Sequence, residues 1–301
     1  MPDISDSILT DAVIIGKGPA GIQAALHIAR SGLGVTVIGH DAGSLALAEK
    51  VENYYGLPEP ASGAAIQKNG EAQARSLGVA IHECQAVGFG FDGGYIVKTT
   101  LGMFRAKAVL LATGVKRIKV PIKDIGRFDG KGVSYCAVCD GFLYKGKNTA
   151  VLGYSEYALA EARELAALNG KTTILTNGEP PRFGIGIDDI DPALYEIVND
   201  RIAGLEGEDR LAGIRFQNDG LLELDALFIA YGVAGSSDLA RKLGVLVNPR
   251  GDILTDQAQA TNVPGIFAAG DCTGVFRQIA VAVGQGAIAA SHMIEYIRKL
   301  Q

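Results

Sequence analysis

The chain has 301 residues, and its 48% hydrophobic and 20% charged content is typical of a well-buried globular protein, which excludes wholesale disorder. The net charge of −5 excludes a globally cationic nucleic-acid binder. No apolar run approaches the roughly 18 residues that span a bilayer, and residues 1–11 contain no cation that could begin a secretory signal. Four cysteines are too few for a disulfide scaffold in a chain this long. We therefore expect a cytoplasmic protein of two domains, with neither nucleic-acid nor membrane partners.

The first predicted structural unit is a strand, a glycine turn and a helix. The turn, Gly16-Lys17-Gly18-Pro19-Ala20-Gly21, has the G-x-G-x-x-G pattern. In that pattern Gly16 permits a tight turn, Gly18 lets the backbone approach a pyrophosphate, and Gly21 lets helix and strand pack closely. The alternative is a purely structural turn. The predicted elements are a strand at 11–15, a helix to Arg30 and a second strand at 34–38.

An acidic residue about 20 positions after this turn could bind the ribose of a dinucleotide. The candidate is Asp41, at the end of the second predicted strand. An ordinary loop aspartate is an equally good interpretation, so the pattern leaves its role open.

The same order of elements occurs a second time. A strand at 149–152 precedes the turn Gly153-Tyr154-Ser155-Glu156-Tyr157-Ala158, a helix to about residue 168, and a strand at 172–175. Each copy is a βαβ unit of about 30 residues. Two such units predict an α/β protein with two dinucleotide-binding, Rossmann-like, three-layer domains.

Two buried strands that end on glycine, at 108–114 and 226–232, indicate where the chain passes between domains. We predict that the second domain is inserted in the first. The predicted boundaries are 1–114 and 246–301 for the first domain, and 115–245 for the insert.

The segment Cys136-Ala137-Val138-Cys139-Asp140 contains a close cysteine pair. Such a pair can close and reopen a small disulfide ring, and an opening helix lowers the pKa of the first thiol. The alternatives are half of a zinc site or a chance pair. A zinc site needs two more ligands, and Cys84 and Cys272 are single cysteines that lie far from this pair in sequence. We therefore expect a redox pair and no metal.

These motifs resemble those of the low-molecular-weight thioredoxin reductases, and the resemblance extends over nearly the whole chain. The segment 132–142 resembles the active-site segment of that family. The other matching motifs, in the same order, are 16–21, Val51-Glu52-Asn53, Ala112-Thr113-Gly114, 267–271 and Arg277-Gln278.

The resemblance implies FAD in the first domain and the redox disulfide in the second. It makes Cys139 the flavin-facing sulfur, Cys136 the interchange thiol and Asp140 a proton donor or acceptor; a helix-capping role for Asp140 remains open. Asp271 would open a C-terminal helix that starts near Phe276 and points its positive end at the flavin. The residues expected to bind FAD are Gly16, Gly18, Pro19, Ala20, Gly21, Asp41, Asn53, Ala112, Thr113, Gly114, Gly270, Asp271, Arg277, Gln278 and Ile279.

The second glycine turn departs from the family pattern, G-x-G-x-x-A. Ser155 replaces the middle glycine, and Tyr154 and Glu156 flank it. A ring and a carboxylate beside a pyrophosphate impose steric and electrostatic costs. The basic cluster that would grip a 2′-phosphate is reduced to Arg182. NADPH is therefore not the expected donor, and the alternative is a relaxed site that takes NADH or NADPH poorly.

In this respect the chain resembles the ferredoxin-dependent flavin thioredoxin reductases, which implies reduced ferredoxin as donor and thioredoxin as acceptor. The segment from Lys116 to Lys131 contains six basic residues and two acidic ones. Its positive charge could bind an acidic ferredoxin or thioredoxin, and the alternative is an ordinary solvated surface. The alternative functions are a conventional NADPH- or NADH-dependent thioredoxin-disulfide reductase and a non-catalytic flavin-binding redox sensor. The family further implies a homodimer, with Gly114 and Gly232 as hinges.

Overall fold

The structure is a computed structural model that describes residues 7–40, 43–114, 120–184, 190–232, 235–274 and 276–301, without the side chains of Cys139 and Ser236. The chain forms two compact units. Unit 1 comprises Met1–Lys116 and Gly235–Gln301, and unit 2, Arg117–Ala234, is inserted in it. Within the described ranges, no helix has both the length and the apolar character needed to cross a membrane.

The bounds of the regular elements follow from the backbone hydrogen bonds. The strands are β1 (Ile8–Leu9), β2 (Ala12–Ile15), β3 (Val35–Ile38), β4 (Ala80–His82), β5 (Ala86–Phe91), β6 (Tyr95–Thr99), β7 (Gly102–Ala106), β8 (Ala108–Leu111), β9 (Val133–Ser134), β10 (Thr149–Leu152), β11 (Thr172–Leu175), β12 (Tyr195–Val198), β13 (Ile202–Glu206), β14 (Gly213–Phe216), β15 (Leu221–Glu223), β16 (Ala226–Ile229) and β17 (Ile266–Ala268). The α-helices are α1 (Pro19–Arg30), α2 (Gly63–Ser76), α3 (Ala137–Asp140), α4 (Glu156–Asn169), α5 (Ser236–Lys242) and α6 (Ile279–Arg298).

The centre of unit 1 is a parallel five-stranded sheet in the order β17-β8-β2-β3-β4. Because side chains alternate across a strand, Ile14, Val37 and Leu110 share one face of this sheet. They pack in one core with Ile28 of α1 and Met293 of α6. Both helices therefore cover that face, and α1 also contacts α6 and α2.

A second, four-stranded sheet of unit 1 has the order β1-β7-β6-β5. Its strands are antiparallel except for the parallel pair β1 and β7. Strand β7 contacts β2 of the parallel sheet. Helix α5 contacts β5, and Lys242 Nζ at its end donates to the Val87 carbonyl at 2.9 Å. This contact explains why α5 belongs to unit 1.

Unit 2 has three layers. Its parallel sheet has the order β12-β11-β10-β16-β9, and its antiparallel sheet has the order β13-β14-β15. Leu152 and Leu227 on one face of the parallel sheet pack with Ile214 of the antiparallel sheet. Val151 on the opposite face packs with Leu165 of α4. The predicted α/β class, with two Rossmann-like folds, is confirmed.

Two sequence-based boundaries are corrected. The sequence pattern predicts that the insert ends at 245, but unit 2 ends at Ala234 because α5 packs on unit 1. The family resemblance also predicts that the C-terminal helix starts near Phe276 and that Asp271 opens it. Instead α6 begins at Ile279, and Asp271 begins a separate 3₁₀ helix, Asp271–Thr273. The left-handed Gly274, with φ +74°, follows that short helix directly.

Candidate functional site

The first glycine turn joins β2 to α1 with the geometry that its spacing predicts. Gly16 has φ +116°, and a Cβ there would overlap the carbonyl oxygen of Ala112. A Cβ on Gly21 would overlap the carbonyl oxygen of Gly16, so helix and turn are in direct contact there. A Cβ on Gly18 would meet no described atom within 4 Å. The turn is therefore closed at its first and third glycines and has space at the second.

The N-terminus of α1 suits an anionic ligand. Pro19 occupies its first turn, and Ala20, which is 4% exposed, packs into the core. Within the described residues, the first turn of α1 contains no acidic side chain and Gly18 provides no side-chain cap. The positive end of the helix dipole is therefore available to a phosphate group in the space beside Gly18.

The segment after β8 lies against this turn. The Ala112 N–H donates to the Ile15 carbonyl at 2.8 Å, which holds the end of β8 beside the end of β2. The next residue, Thr113, has a buried Oγ1 for which the described residues provide no hydrogen-bond partner. A buried hydroxyl is costly to leave unpaired, so Thr113 has an unused bond to offer a ligand. Gly114 follows with φ +67°.

Two predicted flavin-binding residues that are far apart in sequence lie together in unit 1. Asn53 Nδ2 donates to Gln278 Oε1 at 3.1 Å. Gln278 is the N-cap residue of α6, and Ile279 is its first residue. The neighbouring Arg277 is exposed. The fold therefore assembles the separate motifs at 53 and 277–279.

The motif that ends β17 reaches the first glycine turn. Gly270 has φ +88°, and a Cβ there would lie 3.0 Å from the Cβ of Ala20. Its N–H donates to Gln285 Oε1 at 2.8 Å. Burial raises the pKa of the adjacent Asp271, and the charge of Arg277 partly opposes that rise. Asp41 lies outside the described residues, so its predicted role is not placed.

In unit 2, the cysteine segment forms the short helix α3. Cys136 is disulfide-bonded and 2% exposed, whereas Cys84 and Cys272 are free, buried thiols. Ser134 Oγ accepts the Cys136 N–H at 3.2 Å and donates to Asp140 Oδ2 at 2.7 Å. The Ser134 hydroxyl therefore links the Asp140 carboxylate to the backbone N–H of Cys136. Asp140 is the N-cap residue of the 3₁₀ helix Gly141–Tyr144, but its side chain does not cap that helix.

Three large apolar side chains in α3 and in the 3₁₀ helix that follows it are exposed. Val138, Phe142 and Leu143 are 58%, 72% and 73% exposed, respectively. Large exposed apolar side chains that are close in sequence are typical of a contact surface. In the chain, the disulfide-bonded Cys136 is therefore followed by a segment with large exposed apolar side chains.

The second glycine turn differs physically from the first. Arg182 forms a parallel bridge with Ser155, and its N–H donates to the Tyr154 carbonyl at 2.6 Å. Ser155 Oγ donates to the Gly232 carbonyl and does not cap α4. A Cβ on Gly184 would overlap Oε1 of Glu156, so residues 182–184 lie against the start of α4.

Buried and aromatic side chains hold this arrangement. Phe183 is 4% exposed and packs in one core with Tyr157 and Ala158 of α4. Tyr154 packs edge-on against Tyr231, with ring centroids 5.1 Å apart. The chain itself therefore occupies the N-terminus of α4, whereas the N-terminus of α1 is open.

Two charged residues of these sites were not predicted from sequence motifs. Lys17 is 7% exposed, and its Nζ lies 3.0 Å from Glu83 and 3.7 Å from Glu71. Glu161 of α4 is 1% exposed, and its Oε2 accepts the Ala137 N–H at 2.7 Å. The available signals were a lysine inside a glycine turn and a glutamate on the apolar face of a helix.

Comparison with known proteins agrees with this architecture. Residues 10–286 match the family model described as "Pyridine nucleotide-disulphide oxidoreductase". The thioredoxin reductase of Ureaplasma parvum is 33% identical over 303 residues, which cover 96% of this chain and 97% of that protein. The crystal structure of the atypical thioredoxin reductase TRi from Desulfovibrio vulgaris Hildenborough is 40% identical, with a TM-score of 0.90, and covers 96% of this chain and 98% of that one.

A third similar structure is the ferredoxin-flavin thioredoxin reductase from Clostridium acetobutylicum. It is 30% identical, has a TM-score of 0.68, and covers 98% of this chain and 99% of that one. The chain belongs to the pyridine nucleotide-disulphide oxidoreductase family, among its low-molecular-weight thioredoxin reductases.

FAD is the cofactor of these flavoproteins, and unit 1 fits it. The space beside Gly18 at the start of α1 suits the pyrophosphate, and the buried Thr113 hydroxyl has an unused bond. Asn53 and Gln278 present amide groups at the start of α6. These three features lie on separate segments of unit 1, as an extended dinucleotide requires.

Proposed function

We propose that the protein is a flavin-dependent reductase of thioredoxin that receives its electrons from reduced ferredoxin rather than from NADPH. The observation that carries the proposal is the contrast between the two glycine turns. The first has space beside Gly18 at an uncapped helix N-terminus. The second is covered by residues 182–184 and has the Glu156 carboxylate in the first turn of its helix.

The transfer of electrons to thioredoxin is assigned to Cys136 and Cys139. The disulfide takes up two electrons and two protons and opens to two thiols. Cys136 then attacks the thioredoxin disulfide as a thiolate, forms a mixed disulfide and displaces one thioredoxin thiolate. Cys139 attacks the sulfur of Cys136, which reforms the internal disulfide and releases the second thioredoxin thiolate. The exposed Phe142 and Leu143 support a protein as the acceptor.

Proton transfer is assigned to Asp140. A thiolate that leaves a disulfide needs a proton, and a nearby carboxyl group can supply it. The bond from Ser134 Oγ to Asp140 Oδ2 fixes this side chain beside the cysteine segment. When bound, FAD supplies the two reducing equivalents and accepts electrons one at a time, which suits a one-electron donor.

The second turn argues against NADPH as the donor. A pyrophosphate there would meet the bridge between Ser155 and Arg182 and the negative charge of Glu156. The positive end of a helix dipole attracts carboxylates and phosphates alike, so Glu156 and a pyrophosphate would compete for the N-terminus of α4. Binding of NADPH would therefore require residues 182–184 to move and Glu156 to give up its position.

Ferredoxin is energetically competent. The potentials of a plant-type ferredoxin, about −400 mV, and of thioredoxin, about −270 mV, differ by about 130 mV, or roughly 6 kcal/mol for two electrons. The Clostridium acetobutylicum relative, whose name includes ferredoxin, is similar over nearly the whole chain. This similarity supports the same class of donor here.

The basic segment is a candidate docking surface for the donor or for thioredoxin. Lys123 and Lys131 are exposed. Arg127 lies 5.1 Å from the Phe128 ring and donates to the Glu208 carbonyl at 2.6 Å, so it also has a structural role. Lys116, Arg117 and Lys119 lie outside the described residues.

Reaction with a protein disulfide requires Cys136, which is 2% exposed, to become accessible. We propose that unit 2 rotates about Gly114 and Gly232, which have φ values of +67° and +84°. Each glycine lies two residues before one of the boundaries between the units, which fall after Lys116 and after Ala234. Hinges of a moving domain are usually a few such residues in loops.

The test is anaerobic mixing of the holoenzyme with photoreduced ferredoxin, NADPH or NADH in separate stopped-flow runs. Ferredoxin is expected to bleach the flavin rapidly and to support turnover of thioredoxin disulfide, measured as released thiols. The nicotinamides are expected to bleach it slowly or not at all. Rapid bleaching by NADPH would refute the ferredoxin assignment.

A cysteine variant separates flavin reduction from disulfide transfer. In Cys139→Ser, ferredoxin should still bleach the flavin while thioredoxin reduction is lost. Turnover of thioredoxin at the wild-type rate in this variant would contradict the cysteine mechanism. Loss of flavin bleaching would show that the variant has damaged unit 1 instead.

We further propose a cytoplasmic homodimer, supported by the family resemblance. Sedimentation equilibrium of the holoenzyme should give twice the mass of one chain. A single-chain mass across the concentration range would contradict this assembly, without affecting the assignment of electron donor or acceptor.

A further inference from the structure

A buried carboxylate contacts the backbone of the redox segment from another helix. Glu161 of α4 is 1% exposed, and its Oε2 accepts the Ala137 N–H at 2.7 Å. Ala137 directly follows Cys136 and is itself 1% exposed. We propose that Glu161 is a positioning residue that holds the start of α3 and keeps the reduction potential of the cysteine pair low. This inference rests on the proposed role of that pair.

The environment of Glu161 strengthens any effect of its charge. It lies on a face of α4 whose neighbours Tyr157, Ala158, Ala162 and Leu165 belong to a buried apolar core. In such a medium, charge interactions are several-fold stronger than in water. The negative charge therefore acts on Cys136 with little screening by solvent.

Two successive backbone N–H groups at the start of α3 already have acceptors. The Cys136 N–H donates to Ser134 Oγ at 3.2 Å, and the Ala137 N–H donates to Glu161. In many redox helices such N–H groups and the positive end of the helix stabilise the first thiolate. Here Glu161 takes up one of them and adds negative charge at the backbone of the residue that follows Cys136.

The direction of the effect follows from this placement. Reduction of the disulfide followed by ionisation puts a negative charge on Cys136, and Glu161 disfavours that charge. Since a less stabilised reduced form means a lower potential, Glu161 makes the pair a stronger reductant. This direction suits an enzyme that passes electrons to thioredoxin.

Other groups on the elements packed against α4 could also act on the cysteines. Among the described residues these are Asp140 of α3, Tyr144 of the following 3₁₀ helix, and Tyr195 of β12, which is hydrogen-bonded to Arg163 of α4. Strands β10 and β11, which also contact α4, carry no titratable side chain. Asp140 interacts through Ser134, so a variant at Glu161 leaves that bond in place.

The experiment measures the reduction potential of Cys136–Cys139 in the holoenzyme by equilibration with dithiothreitol buffers, acid quenching, alkylation and mass spectrometry. Glu161→Gln keeps an oxygen acceptor for the Ala137 N–H and removes the charge. It should shift the equilibrium constant toward the dithiol about tenfold, which is about +30 mV for two electrons. The matched control Glu164→Gln changes an exposed glutamate of the same helix and should leave the potential unchanged.

Glu161→Asp separates charge from position, and if Glu161→Gln does not fold, an Asp potential shifted by about 30 mV would by itself overturn the proposal. It keeps the charge but shortens the side chain, so its potential should stay near the wild-type value while thiol–disulfide interchange slows. A wild-type potential in Glu161→Gln, or an Asp shift as large as the Gln shift, would overturn the proposal. Absence of thioredoxin turnover with every donor would refute the proposed function instead, since the potential is measured without thioredoxin.

Discussion

Asn53 donates a 3.1 Å hydrogen bond to Gln278, a residue 225 positions later in the chain. The bond joins the segment before α2 to the residue that precedes α6. Both residues belong to motifs whose family resemblance implies flavin contact, and the fold brings their amide groups together. The pair is therefore a direct place to test the proposed flavin site.

Gln278→Ala should weaken FAD binding about fivefold, because one hydrogen bond contributes about 1 kcal/mol net. The fraction of bound flavin after dilution and gel filtration measures the effect. Gln73→Ala, at an exposed glutamine of α2, is the matched control and should retain flavin like the wild type. Equal flavin loss in both variants would remove Gln278 from the site.

Gly18→Ala should fold normally and lose most of its FAD affinity, at least tenfold. Its backbone φ of −74° suits alanine, and the added Cβ meets no described atom within 4 Å. The methyl group would instead occupy the space assigned to the pyrophosphate. Flavin titration of the apoprotein and circular dichroism provide the two readouts.

Gly21→Ala is the contrasting variant. Its Cβ would overlap the Gly16 carbonyl oxygen, so the substitution should destabilise unit 1 by several kcal/mol. Urea unfolding measures this difference. If Gly18→Ala retained wild-type FAD affinity, the assignment of the first turn would be wrong.

A double variant, Ser155→Gly with Glu156→Gln, should increase NADPH affinity at least tenfold over the wild type. It removes the carboxylate from the first turn of α4 and restores the middle glycine. The N–H of Arg182 still bonds to the Tyr154 carbonyl, so affinity should remain below that of a dedicated NADPH site. Isothermal titration calorimetry measures the change, and an unchanged affinity would show that other residues exclude NADPH.

The two free cysteines should not react in the native protein. Burial raises the pKa of Cys272 to about 12, and burial also raises that of Cys84. At pH 8 a thiol with a pKa of 12 has a thiolate fraction of about one in ten thousand. After mild reduction, native alkylation and peptide mapping should label Cys136 and Cys139 only. Labelling of Cys272 at the same rate would contradict its burial.

Asp271 gives a pH-dependent stability prediction. Burial raises its pKa above the usual 3.8, so the folded state holds this proton more tightly than the unfolded state does. Its stabilising contribution is therefore complete at low pH and is lost as pH rises through the folded pKa. In flavin-free protein, Asp271→Asn should be more stable than the wild type at pH 7. Urea unfolding should show this difference shrinking toward pH 3.8.

A stability difference that is the same at pH 7 and near pH 3.8 would show that titration of Asp271 does not cause it. Arg277→Gln provides a second check, since its positive charge lowers the pKa of Asp271. That substitution should raise the pKa further and enlarge the gain from Asp271→Asn at neutral pH.

The sequence by itself determined the class of fold and the first glycine turn. Strand, turn and helix follow from local patterns, so β10 and β11 have the predicted bounds, and β2 and α4 differ by a residue. The close contact of Gly21 with the Gly16 carbonyl also follows from spacing, because both residues belong to one turn, whereas the contact of Gly16 with Ala112 joins two distant segments. Local hydrogen bonding and side-chain periodicity are short-range properties that a sequence can carry.

The tertiary structure alone decided the long-range contacts. Glu161 reaches Ala137 because α4 packs on α3, and Arg182 covers the second turn because Phe183 is anchored in the core. The boundary between the units at Ala234 depends in the same way on the packing of α5 against β5. Such contacts join residues from separate elements, so their partners are fixed only when the hydrophobic faces of those elements pack together.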